Sequence, residues 1–119
     1  CTHPPSADII RYSPNNSEDL SCLSVPLFLE EMRLVAQESF RVLRPHKYCA
    51  ILMGDLRKRG HIFPLGFEVM RLFNDAGFKT KEIILKEQHN CRSTEYWKAN
   101  SSRKNFLLIA HEYLFVFDK

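Results

Sequence analysis

One continuous apolar run constrains the fold of this chain more than any other feature. Tyr48 to Met53 reads Tyr-Cys-Ala-Ile-Leu-Met and ends at Gly54-Asp55. A run of this length without polar residues is typical of a parallel strand that is buried on both faces of its sheet. The glycine and the acid mark the carboxyl edge of the strand, where open α/β sheets bind ligands. Asp55 is therefore expected either to face a substrate or to cap a turn or helix.

An amphipathic helix is predicted immediately before this strand. Ser24 and Pro26 form its expected start, since a serine oxygen can accept a free amide and the acids Glu30 and Glu31 suit the positive end of a helix. Apolar residues then recur at steps of three and four positions, and they give one stripe that consists of Phe28, Met32, Val35, Ala36, Phe40 and Leu43. Arg44-Pro45 is expected to end this helix.

A helix and two strands are predicted after the apolar run. The helix begins near Leu65, after a basic loop over 56–61, and ends with Gly77 as its C-cap. The strands are expected at Lys79–Lys86 and Phe106–Phe117, and a polar loop with Trp97 lies between them. The order of elements predicts an α/β layered sheet that ends in an antiparallel strand pair.

The composition is that of one globular domain. Apolar residues make up 45% and charged residues 26% of the chain, and its longest apolar runs are far shorter than the roughly 20 residues that span a bilayer. No charged-then-apolar leader opens the sequence, so we expect a cytoplasmic protein without a membrane partner. The four cysteines form no C-x-x-C pair, and His111-Glu112 lacks the spacing of a metal site. We therefore expect free thiols, no metal, and a structural role for His111-Glu112.

The segment Thr2-His3-Pro4-Pro5-Ser6 resembles the catalytic loop of the DNA amino-methyltransferases, which reads acidic or polar residue, Pro, Pro, aromatic. Further segments are similar to bacterial and phage DNA methylases, namely Ala7–Ser13, Glu18–Ser21, Arg41–Pro45, Leu52–Asp55, Gln88–Asn90 and His111–Phe117. The resemblance covers nearly the whole chain. It implies a class I S-adenosylmethionine-dependent methyltransferase fold, of which residues 1–119 would be one domain, the half from the catalytic loop to the C-terminal hairpin. The expected fold class is thus α/β, a partial Rossmann-like methyltransferase sheet.

The resemblance also implies a reaction and assigns residues to it. The family transfers the methyl group of S-adenosylmethionine to the exocyclic amine of adenine or cytosine, and its loop accepts the two amine hydrogens with a side chain and a backbone carbonyl. His3 and the Pro4 carbonyl would take these roles, Pro5 would help to fix the loop, and Thr2 would lie beside the cofactor. The other reading of His3 is a loop histidine without a catalytic role.

The target base must leave the duplex to reach such a loop, and the family's aromatic residue normally stacks on it. Ser6 stands at that position and has no aromatic face, which removes a contact worth about 1–3 kcal/mol in single-strand binders. Ser6 is still counted in the catalytic segment, and Tyr12 is the candidate that would replace the aromatic contact.

Positive and polar residues near the expected sheet edge are candidates for contact with DNA. The formal net charge is only +3, but Arg57-Lys58-Arg59 forms a basic cluster, and His89, Asn90 and Arg92 follow the second-last strand. These residues would contact phosphate if this edge meets DNA. The alternative for the basic cluster is an ordinary solvated surface.

No G-x-G motif accompanies the catalytic segment. The glycines Gly54, Gly60, Gly66 and Gly77 are scattered, so the glycine-rich cofactor loop of the family is missing from this chain. Two functions remain open: a DNA methyltransferase that needs a further half to bind its cofactor, and a non-enzymatic remnant or accessory subunit that binds nucleic acid or dimerises. Methylation of RNA or of a small molecule is a third alternative.

Overall fold

The computed structural model describes residues 1–5, 24–88 and 94–119, without the side chains of Thr94, Glu95 and Trp97. In chain order these residues form α1 (Val25–Val42), β1 (Tyr48–Met53), β2 (Leu56–Lys58), β3 (His61–Phe63), α2 (Leu65–Asp75), β4 (Lys79–Glu87), α3 (Thr94–Lys104) and β5 (His111–Asp118).

The strands β1, β5 and β4 lie side by side in that order, and both pairs are antiparallel. Phe115 in the central strand lies opposite Ile51 on one side and Ile83 on the other. The predicted α/β sheet with an antiparallel pair at its C-terminal end is therefore confirmed. Because β1 and β4 both run opposite to β5, they run in the same direction and end at the same edge of the sheet.

The surroundings of β1 differ from the prediction of a parallel strand covered on both faces. Its hydrogen-bonded neighbour β5 is antiparallel, and its one parallel contact in the described residues is a single bridge to Thr2. Burial alternates along its second half: Ile51 and Met53 are buried, whereas Leu52 between them is only partly buried. An apolar run indicates a strand but does not reveal the direction of its neighbour or whether helices cover both of its faces.

One face of the sheet carries the core. Ile51 and Met53 of β1 share this face with Phe115 and Phe117 of β5, and all four side chains are at most 1% exposed. The helices α1 and α2 cover it, with Phe73 of α2 stacked on Phe117 at a ring distance of 5.0 Å. Aromatic stacking of this kind adds to the free energy gained by removing the rings from water.

The predicted stripe of α1 faces this core, but the expected serine cap is wrong. Phe28, Met32 and Ala36 are buried and Phe40 and Leu43 are half-buried, whereas Val35 is 36% exposed. Ser24 occupies the N-cap position, yet its side chain makes no capping hydrogen bond, and the first turn contains no acid. Pro26 explains part of this result, because it has no N–H at one of the positions that a cap usually serves.

Three connections also depart from the sequence-based expectations. The expected loop over 56–61 is a hairpin of β2 and β3, whose turn residues Arg59 and Gly60 have φ of 50° and 82°, as a two-residue hairpin turn requires. The expected loop between the last two strands contains α3, which has no apolar stripe by which it could be recognised. The last strand begins at His111 instead of Phe106, because its partner β4 ends at Glu87 opposite His111.

The second helix agrees with the prediction, and Gly77 follows its end with a left-handed φ of 114°. In the parts of the chain that the structure describes, no helix is both long and apolar enough to cross a bilayer. The same residues contain no group of three or more histidine, cysteine or acidic side chains that is placed to hold a metal ion.

Candidate active site at the edge of the sheet

The start of the chain is fixed to β1 by two backbone hydrogen bonds. The Thr2 N–H donates to the Ala50 carbonyl at 2.9 Å, and the Thr2 carbonyl accepts from the Leu52 N–H at 3.0 Å. Thr2 therefore runs parallel to β1, and the next residues emerge at the edge where β1 ends. The backbone of Thr2 is used by the sheet, so the predicted contact between Thr2 and a cofactor would involve its exposed side chain.

The three described residues of the predicted catalytic segment that follow Thr2 differ in burial. The His3 side chain is 54% exposed, Pro4 is buried, and Pro5 is half-buried. Two adjacent prolines hold φ near a single value and carry no N–H, so this backbone loses little further entropy when a ligand binds. A buried proline beside an accessible imidazole gives a fixed support for the His3 side chain. Ser6, the last member of the segment, lies outside the described residues.

Glu112 joins the catalytic segment to the neighbouring strands. Its carboxylate lies 3.6 Å from Nε2 of His3 and accepts a hydrogen bond from Nζ of Lys86 at 2.8 Å, while its side chain is only 13% exposed. Burial alone would raise the pKa of the Glu112 carboxyl. Hydrogen bonds from Lys86 and Gln88, with the positive charges of Lys86 and His3, outweigh it and lower this pKa. Glu112 is therefore a carboxylate at neutral pH.

A second polar cluster lies at the same edge, on the face that carries the core. The Asp55 carboxylate accepts a hydrogen bond of 3.0 Å from the Gly66 N–H in the first turn of α2. Asp55 was expected either to face a substrate or to cap a turn or helix, and the structure shows it capping the first turn of α2. Burial raises the pKa of the Tyr113 hydroxyl, and the charge of Asp55 and a hydrogen bond to it act in the same direction. Tyr113 also lies 2.9 Å from Nε2 of His111.

Sequence reasoning missed Glu112 and Lys86 as neighbours of the catalytic segment. It placed Glu112 in a structural dipeptide, His111-Glu112, and did not single out Lys86. The register of β4 against β5 sets Lys86 opposite Glu112. That register depends on where each strand begins, which the alternation of residues alone does not determine.

The predicted basic cluster lies on the β2–β3 hairpin, which begins one residue after Asp55 and so leaves from the same edge. Arg57 is tied into the fold: its guanidinium donates to the carbonyls of Gly60 and Leu107 and lies 4.7 Å from the centre of the Phe106 ring. Lys58 and Arg59 are exposed. These contacts do not test binding to DNA. They show that the guanidinium of Arg57 has partners within the fold, whereas the side chains of Lys58 and Arg59 are exposed.

The other residues predicted to contact nucleic acid, Tyr12, His89, Asn90 and Arg92, lie outside the described residues. The strand that precedes three of them, β4, ends at Glu87 on the edge that also holds His3 and Glu112. Their proposed role stays a prediction.

This arrangement defines a class of fold: one half of a methyltransferase-like α/β domain, with a Pro-Pro segment at the carboxyl edge of β1. Solved structures of the putative DNA modification methylase TTHA0409 from Thermus thermophilus share this fold. The chain is 26% identical to the selenomethionine derivative over 79% of its own length, with a TM-score of 0.63. It is 21% identical to the structure complexed with S-adenosyl-L-methionine over 98% of its length, with a TM-score of 0.66.

The similarity covers only part of the Thermus methylase. The two alignments extend over 37% and 45% of the methylase chain, so this chain spans less than half of its length. The sequence matches no family model and no curated protein. The fold comparison confirms the resemblance to DNA methylases that the sequence indicated, and it confirms the expected methyltransferase-like architecture.

Proposed function

We propose that this chain is the catalytic-loop half of an S-adenosylmethionine-dependent DNA methyltransferase that modifies the exocyclic amine of adenine or cytosine. The observation that supports this function most is the parallel bridge between Thr2 and Ile51. It brings His3-Pro4-Pro5 to the edge where β1 and β4 both end, in a fold shared with a DNA modification methylase. Ligands of open α/β sheets bind at this kind of edge.

The reaction needs help because the lone pair of an exocyclic amine is delocalised into the base. A neutral imidazole has one acceptor nitrogen, so His3 would accept one amine hydrogen, and the Pro4 carbonyl would accept the other. Two acceptors in fixed positions favour a pyramidal nitrogen whose lone pair is available for attack. Pro5 would keep the loop open, and the flipped base would rest near Ser6 and Tyr12.

The residues of this chain fit the base-binding side of such a site and do not fit the adenosine-binding side. At this edge, Asp55 already accepts a hydrogen bond from the Gly66 N–H, and Glu112 accepts one from Lys86. The sequence offers no glycine pair that would let a backbone approach the cofactor closely. The cofactor, S-adenosylmethionine, would supply the methyl group, and Thr2 is the residue proposed to lie beside it. The groups that hold its adenosine are proposed to lie outside these 119 residues.

DNA is the proposed macromolecular partner. Lys58 and Arg59 are exposed on the hairpin that begins beside Asp55, and His89, Asn90 and Arg92 follow β4 in the sequence. Contacts from such residues to phosphate would orient the duplex without reading its sequence. A DNA substrate agrees with the cytoplasmic location expected from the sequence.

Methyl transfer from radiolabelled S-adenosylmethionine tests the function. The full-length product that carries this chain is expected to label DNA, and the 119-residue chain alone is not. His3→Ala in the full-length product should lower the rate by at least about a hundredfold, the usual contribution of a positioned polar group. His46→Asn, at the opposite edge, is the matched control and should keep the parental rate. If the full-length product does not label DNA, the proposal is wrong. If the 119-residue chain alone labels DNA, the groups that bind the cofactor do not lie outside it.

A second function is favoured by the exposed edge strand. Ile83, Ile84 and Leu85 of β4 are 43%, 48% and 66% exposed, and in the described residues β4 pairs on one side only. The apolar middle of an exposed edge strand can pair with another chain. An accessory subunit that dimerises or joins a complementary chain would use it. Sedimentation tests this function, and a monomer at high concentration with no complementary chain bound would exclude it.

A further inference from the structure

We infer that Glu112 is a positioning residue for His3. Its carboxylate keeps a proton on Nε2 of the His3 ring, so that Nδ1 of the same ring accepts a hydrogen bond from the substrate amine. The inference rests on the proposed methyl transfer and adds to it the acceptor atom and the residue that selects it. It starts from one contact, the 3.6 Å between a Glu112 carboxylate oxygen and Nε2 of His3.

Glu112 is held in place from the side opposite His3. Its second carboxylate oxygen accepts the 2.8 Å hydrogen bond from Lys86, which is its cross-strand partner in β4. A Cβ added at Gly54, the residue after β1, would stand 3.6 Å from Cγ of Glu112, so the Glu112 stem lies over this glycine. A side chain that is 13% exposed and is hydrogen-bonded to the neighbouring strand β4 has few other rotamers available. The oxygen that faces His3 is therefore in a fixed position.

A fixed carboxylate beside one ring nitrogen selects the tautomer of a neutral histidine. A proton on Nε2 is attracted to the carboxylate, whereas a lone pair on Nε2 would be repelled by it. Partners of this kind set the tautomer of histidines in metal sites as well. At 3.6 Å the contact is electrostatic and longer than a hydrogen bond, and contacts in unliganded active sites commonly shorten when substrate binds.

Lys86 keeps this arrangement compatible with an acceptor role. A lone carboxylate beside an imidazole would also favour the doubly protonated ring, which has no acceptor nitrogen. The ammonium of Lys86 balances the charge of Glu112 at 2.8 Å. The contacts from Lys86 to Glu112 and from Glu112 to His3 thus orient the imidazole ring of His3 and limit the net negative charge beside it.

Long-range ¹H–¹⁵N NMR of the 119-residue chain, labelled with ¹⁵N-histidine, tests the inference directly. The spectrum is recorded at about pH 8, above the pKa of an ordinary histidine side chain in a model peptide. Signals of His3 are assigned by their loss in His3→Asn. The wild-type chain should show His3 protonated on Nε2, and Glu112→Met should populate both tautomers. His61, exposed on β3, should be unchanged, and the dispersion of the backbone amide signals shows that the variant is folded.

A proton on Nδ1 of His3 in the wild-type chain would overturn the inference, as would an unchanged tautomer ratio in folded Glu112→Met. If that variant does not fold, Glu112→Gln replaces it and should weaken the preference for Nε2, since an amide oxygen carries no charge. An unchanged preference in Glu112→Gln would then count against the inference.

The methyltransferase activity of the full-length product provides a second, independent test of which His3 nitrogen is the acceptor. The amide oxygen of asparagine can occupy the place of Nδ1, and that of glutamine the place of Nε2. His3→Asn should therefore transfer methyl groups at least about tenfold faster than His3→Gln, the effect of one satisfied hydrogen bond in the transition state. The reverse order would overturn the inference. An inactive wild-type product would overturn the proposed function instead, while the NMR result would still decide the role of Glu112.

Discussion

Thr2 lies beside Ile51 as its parallel neighbour, and two hydrogen bonds of 2.9 and 3.0 Å hold this bridge. The bridge fixes the direction in which the chain leaves the sheet. His3 is the next residue, so the bridge between Thr2 and Ile51 also determines where the imidazole of His3 lies. The position of His3 therefore depends on the backbone of Thr2, whose side chain takes no part in the bridge.

Thr2→Pro should weaken the bridge, since proline has no N–H to donate to the Ala50 carbonyl. Loss of this hydrogen bond costs about 1 kcal/mol and should speed local opening by about fivefold. Amide exchange of Leu52, which donates to the Thr2 carbonyl, reports this opening. Thr2→Ser keeps the N–H and serves as the control. Equal exchange of Leu52 in both variants would show that the bridge does not hold the segment.

Gly77→Ala should destabilise the fold more than Gly60→Ala. Both glycines have a left-handed φ, of 114° and 82°, so alanine at either position adds about 1–2 kcal/mol of backbone strain. Only at Gly77 would the added Cβ lie 2.9 Å from the Phe40 ring, whereas nothing lies within 4 Å of it at Gly60. Overpacking adds about a further 1–3 kcal/mol at Gly77. Urea unfolding measures the difference, and equal losses would contradict this packing.

The stability of the fold should fall in acid partly through Glu112. Its pKa in the folded chain is held below the ordinary value of 4.5, with hydrogen bonds from Lys86 and Gln88 outweighing burial. The contribution of a carboxyl whose folded-state pKa is lowered is fully present above pH 4.5 and is lost as the pH falls through the folded-state pKa.

Lys86→Met removes the first of these hydrogen bonds. The free energy of unfolding should then drop by about 1 kcal/mol near neutral pH and show a shallower dependence on pH below 4.5 than in the parent chain. Arg41→Met removes a fully exposed partner of Glu38 and is the control, for which no measurable change is expected. Identical pH profiles for the parent and Lys86→Met would contradict the assigned pairing.

Lys58 and Arg59 should contribute to DNA binding mainly through charge. Replacing either by glutamine should lower the slope of log K against log salt by about 1, because one phosphate contact is lost. Fluorescence anisotropy with a labelled duplex at several salt concentrations measures this slope. Lys79→Gln, at the opposite end of β4, should leave it unchanged. Equal slopes for Lys58→Gln, Arg59→Gln and Lys79→Gln would remove the hairpin from the proposed DNA interface.

Much of the fold was predictable because its signals are local. The stripe of α1, the apolar run of β1 and Gly77 after α2 each reflect the structure of a short segment. The expectations that proved wrong did not all fail for the same reason. The direction of the strand beside β1 depends on β5, which lies far along the sequence, and α3 has no apolar stripe in its own sequence.

The candidate site was predictable only where a motif carries it. His3, Pro4 and Pro5 form a segment that can be recognised in the sequence. Glu112 lies beside this segment only because β5 pairs with β4 and because Thr2 forms a bridge with β1. Arg57 shows the reverse case. Its sequence context suggested a phosphate contact, but its guanidinium holds the carbonyls of Gly60 and Leu107. A charged residue in a basic cluster can serve the fold, and sequence alone does not separate these uses.

The most direct measurement is nucleoside mass spectrometry of DNA treated with the full-length product and S-adenosylmethionine. We expect N6-methyladenine or N4-methylcytosine in this DNA, at a strongly reduced level with His3→Ala and at the parental level with His46→Asn. DNA without either methylated base, or methylation that is equal in His3→Ala and the parent, would contradict the claim that the segment beside β1 is the catalytic loop of a DNA methyltransferase.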